Sequence, residues 1–188
     1  MLVINKMSLL KMKFFIVLLV LLIWKLFVSG PSISLVHLPD ELLRLCSLRC
    51  KLVSDARLGQ PGRASFSLDR SRFEREYNIL DTIVGPDFKV SREIPVEYRM
   101  YPTGSSGMDW HSDQKVLKGN YYEAILTLAN DSDSLFQYRI NFLGLPVSVS
   151  CPPGRLVLVR PNGPSHRVTP VTEGSREILK FIVVPSLV

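Results

Sequence analysis

The side chains able to do chemistry in this sequence are few, and their spacing is informative. His111-Ser112-Asp113 places an imidazole and a carboxylate two residues apart. On an extended strand, residues i and i+2 point to the same side, so their ligand atoms can converge on one metal ion. The only other histidines are His37 and His166, and His166 lies downstream in another β-like run, PSHRVTPV (164–171). Two histidines and one carboxylate form a metal face that suits a ferrous ion with open coordination positions. With three histidines and nine aspartates in the chain, an H-x-D pair alone arises by chance about one time in seven. The pair gains weight from its companions. Arg176 lies ten residues after His166, at the head of the run REILKFIVV, and a guanidinium fork suits bidentate pairing with a carboxylate. Lys180 shares strand parity with Arg176 and is an alternative carboxylate partner, but Arg176 has the better spacing from His166. Tyr101, ten residues before His111, carries a hydroxyl that can bond an acidic co-substrate.

These residues fall in the half of the chain with β texture. From Val90 onward, short β-branched and aromatic runs alternate with turns. They predict strands near 94–101, 109–113, 121–129, 134–142, 146–151, 155–160, 165–171 and 176–184. Eight short strands in under a hundred residues suggest a sandwich or jelly roll. Two helices precede them. One is predicted over 39–53, with Pro39 in its first turn, Asp40 and Glu41 near the positive end of its dipole, and an apolar stripe of Leu42, Leu45, Leu48 and Leu52. The other is predicted over 71–84, with Phe73, Tyr77, Leu80 and Val84 on its apolar face and Gly85-Pro86 ending it. Residues 30–34 read as a linker. Residues 54–67, with Gly59, Pro61 and Gly62, read as a loop.

The chain has 188 residues, 46% hydrophobic and 21% charged, the balance of an ordinary globular protein. Its formal net charge of +6 is concentrated at the N-terminus. Lys6, Lys11, Lys13 and Lys25 occur in the first 30 residues without an acid, and the rest of the chain sets 19 basic against 17 acidic residues. That balance argues against a nucleic-acid partner. Phe14 to Trp24 is an unbroken apolar run behind basic residues, and counting from Leu9 to Val28 reaches the length of a bilayer span if the lysines snorkel. Residues 1–30 therefore read as a transmembrane anchor, retained rather than cleaved, with the body (31–188) lumenal in the secretory pathway; cleavage would make it secreted. Three cysteines, Cys46, Cys50 and Cys151, make no complete disulfide framework and too few ligands for a metal site.

In the order Tyr101, His111, Asp113, His166, Arg176 the sequence resembles the Fe(II)/2-oxoglutarate-dependent dioxygenases, and among them the prolyl 4-hydroxylase type of catalytic domain. That family reads H-x-D, a strand ending in L-N, P-x-x-G, and then H-x-V-x-P-V-x-x-G-x-R. Here the corresponding segments are His111-Ser112-Asp113, ILTLAN (125–130), CPPG (151–154) and HRVTPVTEGSR (166–176). The resemblance covers about residues 97 to 184. It implies a double-stranded β-helix, the jelly roll that the strand count suggests separately, so the expected architecture is mainly β with flanking N-terminal helices. It also implies His111, Asp113 and His166 as iron ligands and Arg176 as the holder of the distal carboxylate of 2-oxoglutarate. Tyr101 matches a tyrosine that lines the co-substrate pocket in this family, and Thr127, inward by parity with Ile125, adds a hydroxyl. The implied reaction uses Fe(II), 2-oxoglutarate and O2, with ascorbate as reductant, to hydroxylate a protein or peptide side chain, prolyl by analogy and in a proline-rich partner, releasing succinate and CO2.

The sequence departs from the family in three places. The glycine-containing segment that usually follows the L-N strand is Asp131-Ser132-Asp133-Ser134-Leu135-Phe136, without glycine. Position 184, basic in some collagen-type members, is valine. Position 182, where nucleic-acid demethylases of the AlkB-like branch carry a second arginine, is isoleucine. That demethylase branch and a non-catalytic jelly-roll binding module are the alternative readings. Asp131 and Asp133 lack the EF-hand pattern of a calcium loop and read as a polar turn between strands.

Overall fold

The computed structural model describes residues 11–21, 30–48, 57–60, 62–139 and 144–186. Twelve strands run through it: β1 (Ser32–Leu35), β2 (Arg57–Gln60), β3 (Arg63–Leu68), β4 (Phe88–Val90), β5 (Val96–Tyr101), β6 (Met108–His111), β7 (Tyr122–Asn130), β8 (Phe136–Arg139), β9 (Pro146–Val149), β10 (Arg155–Val159), β11 (His166–Val168) and β12 (Arg176–Pro185). Two helices, α1 (Asp40–Ser47) and α2 (Glu74–Val84), separate the early strands.

All pairing is antiparallel. One large sheet has the order β1-β10-β7-β12-β5-β3-β2, with β4 added on β12. A small sheet has the order β6-β11-β8-β9. From β5 to β12 the chain crosses between the two sheets at every step except the β8–β9 hairpin, so that β5, β12, β7 and β10 face β6, β11, β8 and β9. Eight strands shared in this way between two sheets have the arrangement of a jelly roll. The eight predicted strands are all present, mostly shorter than expected; the residues 140–142 assigned to the fourth lie outside the described ones.

The central strands explain why one sheet can serve two cores. In β7 six consecutive residues, Glu123 to Leu128, are buried. Successive side chains point to opposite faces of a strand. Leu126 and Leu128 join Leu179 and Phe181 against the helical layer of Leu42, Leu45, Tyr77 and Leu80. Ile125 joins Val157 and Ile178 on the other face, against Phe136 and Val168 of the small sheet. The second core lines the site.

The helices act as a brace for the large sheet. Tyr77 of α2 accepts a hydrogen bond from Val96 N (2.9 Å) and donates one to Leu68 O (3.2 Å), fixing the starts of β5 and the end of β3. Asp81 accepts from Val90 N at 2.7 Å, tying β4 to the same helix. An Arg75–Glu41 ion pair joins α2 to α1.

Several expectations are corrected. The region read as a loop, 54–67, contains the hairpin of β2 and β3. Gly59 lies within β2, Gly62 has φ 82° at the turn, and β3 adds to the edge of β5; Pro61 lies outside the described residues. The 30–34 linker contains β1, paired with β10. Strand β4 was not expected. Helix α1 stops at Ser47, and Leu48 is exposed rather than part of the apolar stripe. Leu52 and Cys50 lie outside the described residues. Cys151 is buried.

Residues 11–21 are helical and exposed throughout, with Phe14 at 70% and Phe15 at 68%. Among the described residues no helix is long and apolar enough to cross a membrane. The remainder of the proposed 9–28 span lies outside them.

Candidate metal centre

Strands β6 and β11 are neighbours, and their register sets His111 opposite His166. The imidazole rings are 4.4 Å apart between centroids. The pairing slips between His166–Val168 and His111–Met108, so the β6 side carries an extra residue. Bulges of this kind re-aim side chains beside functional sites. Here Met108 and His111 both face the space between the sheets.

Asp113 reaches the same point by a route the sequence did not predict. Strand β6 ends at His111 rather than 113, so the two residues do not share a strand face. The segment leaving β6 is held by Asn162 N, which donates to Asp113 O at 2.8 Å, and by Ser112 Oγ, which donates to Gly163 O at 3.3 Å. These contacts bring the carboxylate back beneath the histidines. Asp113 Oδ2 lies 3.2 Å from His166 Nε2, and Oδ1 lies 3.8 Å from His111 Nε2. One ligand atom from each of His111, Asp113 and His166 lies within 4.8 Å of the others.

The other ring nitrogens fix the tautomers. His111 Nδ1 donates to Asp109 O at 2.7 Å, and His166 Nδ1 donates to Pro164 O at 3.2 Å. A carbonyl can only accept, so Nδ1 carries the proton and Nε2 presents its lone pair when the ring is neutral. Each histidine uses the carbonyl two residues before it. Orientation of a ligand imidazole by such a partner is a recurrent feature of metal sites.

The carboxylate is kept ionised. Burial works to raise the Asp113 carboxyl, but the hydrogen bond it accepts from His166 when Nε2 also carries a proton, in the metal-free site, and the charge of Lys180 outweigh it and hold it down at about 2. Lys180 Nζ lies 3.7 Å from Asp113 Oδ1 and 2.5 Å from Glu123 Oε2. Burial raises the Glu123 carboxyl; Lys180 pulls it down and Asp113 adds to the rise, for a net upward shift. Lys180 is thus engaged beside the metal ligand.

Arg176 is in a different position. It is fully buried, and among the described residues its Nε, Nη1 and Nη2 have no hydrogen-bond partner. It pairs across the sheet with Tyr101 on one side and Asn130 on the other. Tyr101 is also buried and lines the space at the triad. Thr127, opposite Ile178 in the register, is 1% exposed, and its Oγ1 has no partner among the described residues. Directly paired residues share a face, so Tyr101, Thr127, Arg176 and Ile178 all face the second core. Unpaired buried donors cost about 1–3 kcal/mol each, more when charged. A guanidinium with three of them fits a buried carboxylate ligand, and Thr127 offers a further hydroxyl to it. The donor set and the orphaned guanidinium therefore suit Fe(II) and a dicarboxylate co-substrate.

Sequence reasoning missed two residues at the centre. Met108 lines the space, with its sulfur 3.9 Å from Tyr101 Oη and 3.5 Å from Arg63 Nη1. Arg99, 8% exposed, lines it from the neighbouring strand and pairs with Glu97. Strand parity with Tyr101 was the available signal for Arg99; the bulge hid Met108. The void at the triad is about 20 Å³, room for about one water. A five-carbon diacid would require the flexible Met108 side chain to move. A second void of about 180 Å³ shares Arg99 and Lys180 with it and continues past Ile94, Val116 and Ile182. The largest described cavity, about 580 Å³, is lined by none of the triad.

The two acids of the 131–136 segment hold the approach to Arg176. Asp133 accepts from Thr172 N (2.9 Å), Thr172 Oγ1 (2.5 Å) and Glu173 N (3.3 Å). Asp131 Oδ1 accepts from Ser175 N at 2.6 Å. Gly174 between them has φ 71°, and a Cβ there would lie 2.5 Å from Asp131 O. Both carboxylates are thus occupied within a turn, as the sequence suggested.

No protein-family model matches the sequence. No curated protein matches it either. Solved structures do. A prolyl-4-hydroxylase from Pseudomonas putida superposes with a TM-score of 0.63 at 17% identity, covering 87% of this chain and 96% of that one. A prolyl hydroxylase from Trichoplax adhaerens, in complex with a hypoxia inducible factor peptide fragment, gives 0.64 at 15% identity over 86% and 85%. HygX from Streptomyces hygroscopicus, with nickel, 2-oxoglutarate and hygromycin B bound, gives 0.58 at 15% identity over 85% and 84%. The chain has the fold of these structures.

Proposed function

We propose that this protein is an Fe(II)- and 2-oxoglutarate-dependent dioxygenase that hydroxylates a protein or peptide side chain, prolyl in the first instance. The observation that carries the reading is Arg176: a fully buried guanidinium with no partner among the described residues, paired across the sheet with Tyr101, which lines the void at the His-Asp-His cluster. The solved structures of the same fold support it, because they include two prolyl hydroxylases and a protein that holds 2-oxoglutarate. The peptide bound to the Trichoplax protein supports a peptide substrate.

His111, Asp113 and His166 would hold the iron, with Nε2 of each ring and the Asp113 carboxylate as ligands. Arg176 would pair with the distal carboxylate of 2-oxoglutarate, with Tyr101 and Thr127 lining its pocket. Iron with 2-oxoglutarate and O2 supplies the oxidant that converts a C–H bond to C–OH, while 2-oxoglutarate leaves as succinate and CO2; ascorbate would maintain the ferrous state. Lys180 keeps Asp113 ionised, and the Nδ1 contacts of the histidines keep their lone pairs aimed at the metal. The reacting side chain would enter by the 180 Å³ void, where Ile94, Val116 and Ile182 offer an aliphatic wall beside the charged Glu97, Arg99, Glu123 and Lys180. The N-terminal segment is read as an anchor that leaves the catalytic body lumenal. Its support is an apolar helix at 11–21 with no protein covering it.

The test is succinate release by the full chain with Fe(II), 2-oxoglutarate and ascorbate, alone and with proline-rich peptides, together with mass detection of an added oxygen on the peptide. Turnover stimulated by such a peptide is the expected result. A folded, iron-loaded protein that never consumes 2-oxoglutarate would overturn the enzyme reading. Consumption with no peptide product would overturn the peptidyl substrate alone.

A further inference from the structure

The strands that carry His111 and His166 inward carry a different group of side chains outward. Trp110 precedes His111 and Arg167 follows His166. Across the sheet, Tyr138 pairs with His166, so Gln137 and Arg139 share the outward side with Arg167. On the last strand, Pro146 and Ser148 pair with Arg139 and Gln137. The outer face of the small sheet therefore presents Trp110, Arg167, Gln137, Arg139, Pro146 and Ser148, with two guanidinium groups; Asp109, exposed beside Trp110 in the β6 bulge, forms no ion pair with either among the described residues.

Both arginines lie against the Trp110 ring. The guanidinium carbon of Arg139 is 4.2 Å from the ring centroid and that of Arg167 is 4.8 Å. Among the described residues neither forms an ion pair with a carboxylate. Arg167 Nε donates to Gln137 Oε1 at 2.7 Å, and Gln137 Nε2 donates to Ser148 Oγ at 2.8 Å. The group is thus oriented before any ligand arrives. A guanidinium held by stacking and by one amide keeps its other N–H edges free in a fixed plane. That arrangement suits bidentate pairing with carboxylates and lowers the entropy lost on binding. Arg139 is exposed and Arg167 and Trp110 are half-buried, so the edges are accessible.

We propose that this face is a docking site for an acidic segment of a polypeptide, with Arg139 and Arg167 pairing its carboxylates. Nucleic acid fits less well. The indole, which would have to stack on a base, is already in contact with guanidinium groups. The 19 basic and 17 acidic residues beyond the N-terminal 30 make no broad positive field. The site is separate from the candidate metal centre, since it lies on the opposite face of the same strands.

The chain has two tryptophans, Trp24 and Trp110, so Trp24→Phe leaves Trp110 as the sole reporter. The experiment titrates the full chain in that background with an end-blocked octaglutamate peptide and follows Trp110 emission. Saturable binding is expected, absent with octaglutamine and weakened when salt rises from about 50 to 200 mM. Arg139→Gln combined with Arg167→Gln should weaken it about tenfold or more. Arg139→Gln alone, at an exposed position, decides the matter if the double variant does not fold, and should weaken binding at least about threefold. Unchanged octaglutamate affinity in these variants, or no saturation in the parent, overturns the proposal. Tighter binding of inorganic phosphate or of octathymidylate than of octaglutamate would overturn the choice of an acidic polypeptide.

Discussion

Asp113 and Arg176 carry opposite electrostatic problems, and the chemistry follows from how each is solved. Asp113 is a buried acid kept charged by His166 and Lys180. Arg176 is a buried cation without a partner among the described residues. Replacing Asp113 or His111 with Ala should abolish turnover and, in calorimetric titration, weaken metal binding by an order of magnitude or more. Arg176→Gln should instead raise the 2-oxoglutarate requirement at least about tenfold with metal affinity kept, because a buried carboxylate loses its charged partner. Wild-type 2-oxoglutarate affinity in Arg176→Gln would shift that role to Lys180. In chelator-treated protein the acids also set the pH response. Asp113 falls from 3.8 to about 2 on folding, so its contribution, on the order of 2 kcal/mol, is complete above about pH 4 and lost as pH falls through about 2. Glu123 is shifted the other way from 4.5. Its ionised form is disfavoured by the fold, so it costs stability above its raised value and nothing well below 4.5. Glu123→Gln is therefore expected to raise the thermal midpoint at about pH 8 and leave it unchanged at about pH 4; scanning calorimetry at both pH values checks this.

At the scale of elements, the turn before β12 decides where Arg176 sits. Gly174 adopts a φ of 71° against the Asp131 carbonyl, and Asp131 and Asp133 collect the N–H groups of residues 172, 173 and 175. Gly174→Ala should cost about 1–3 kcal/mol by strain and close contact. Its effect on turnover should be in the 2-oxoglutarate KM more than in kcat, which a saturation series resolves. That turn was legible in sequence as a polar connection, but its task was not, because its partners are about forty residues apart. The same distinction runs through the fold. The eight strands of the jelly roll show in local alternation and turn residues, and so did the order of the site residues. Strands β1 to β4 did not, because they add to the outside of the core sheet and are held by pairing with β10, β3, β5 and β12 rather than by their own pattern. The convergence of His111 with Asp113 was read correctly for a reason that does not hold: the carboxylate returns from a loop held by Asn162, not along a strand. Met108 escaped notice because strand parity with His111 places it outward, and the bulge turns it inward.

Across the whole molecule, the two sheets divide the labour. The large sheet, buried on one face by helices and on the other by the small sheet, supplies Tyr101, Thr127 and Arg176. The small sheet supplies both histidines, and the loop leaving its first strand supplies Asp113. Those strands are only three or four residues long, and β6 lies at an edge with β11 as its single neighbour. Amide hydrogen exchange should therefore separate the halves of the site. Backbone groups of β7 and β12 are expected to open only with global unfolding, and those of β6 and β11 by local fluctuation. Iron would then act as a clasp on the weaker half. Adding it should slow exchange at 108–111 and 166–168 while leaving 124–128 and 178–182 unchanged, so that loss of metal loosens one wall and leaves the wall of Tyr101, Thr127 and Arg176 standing.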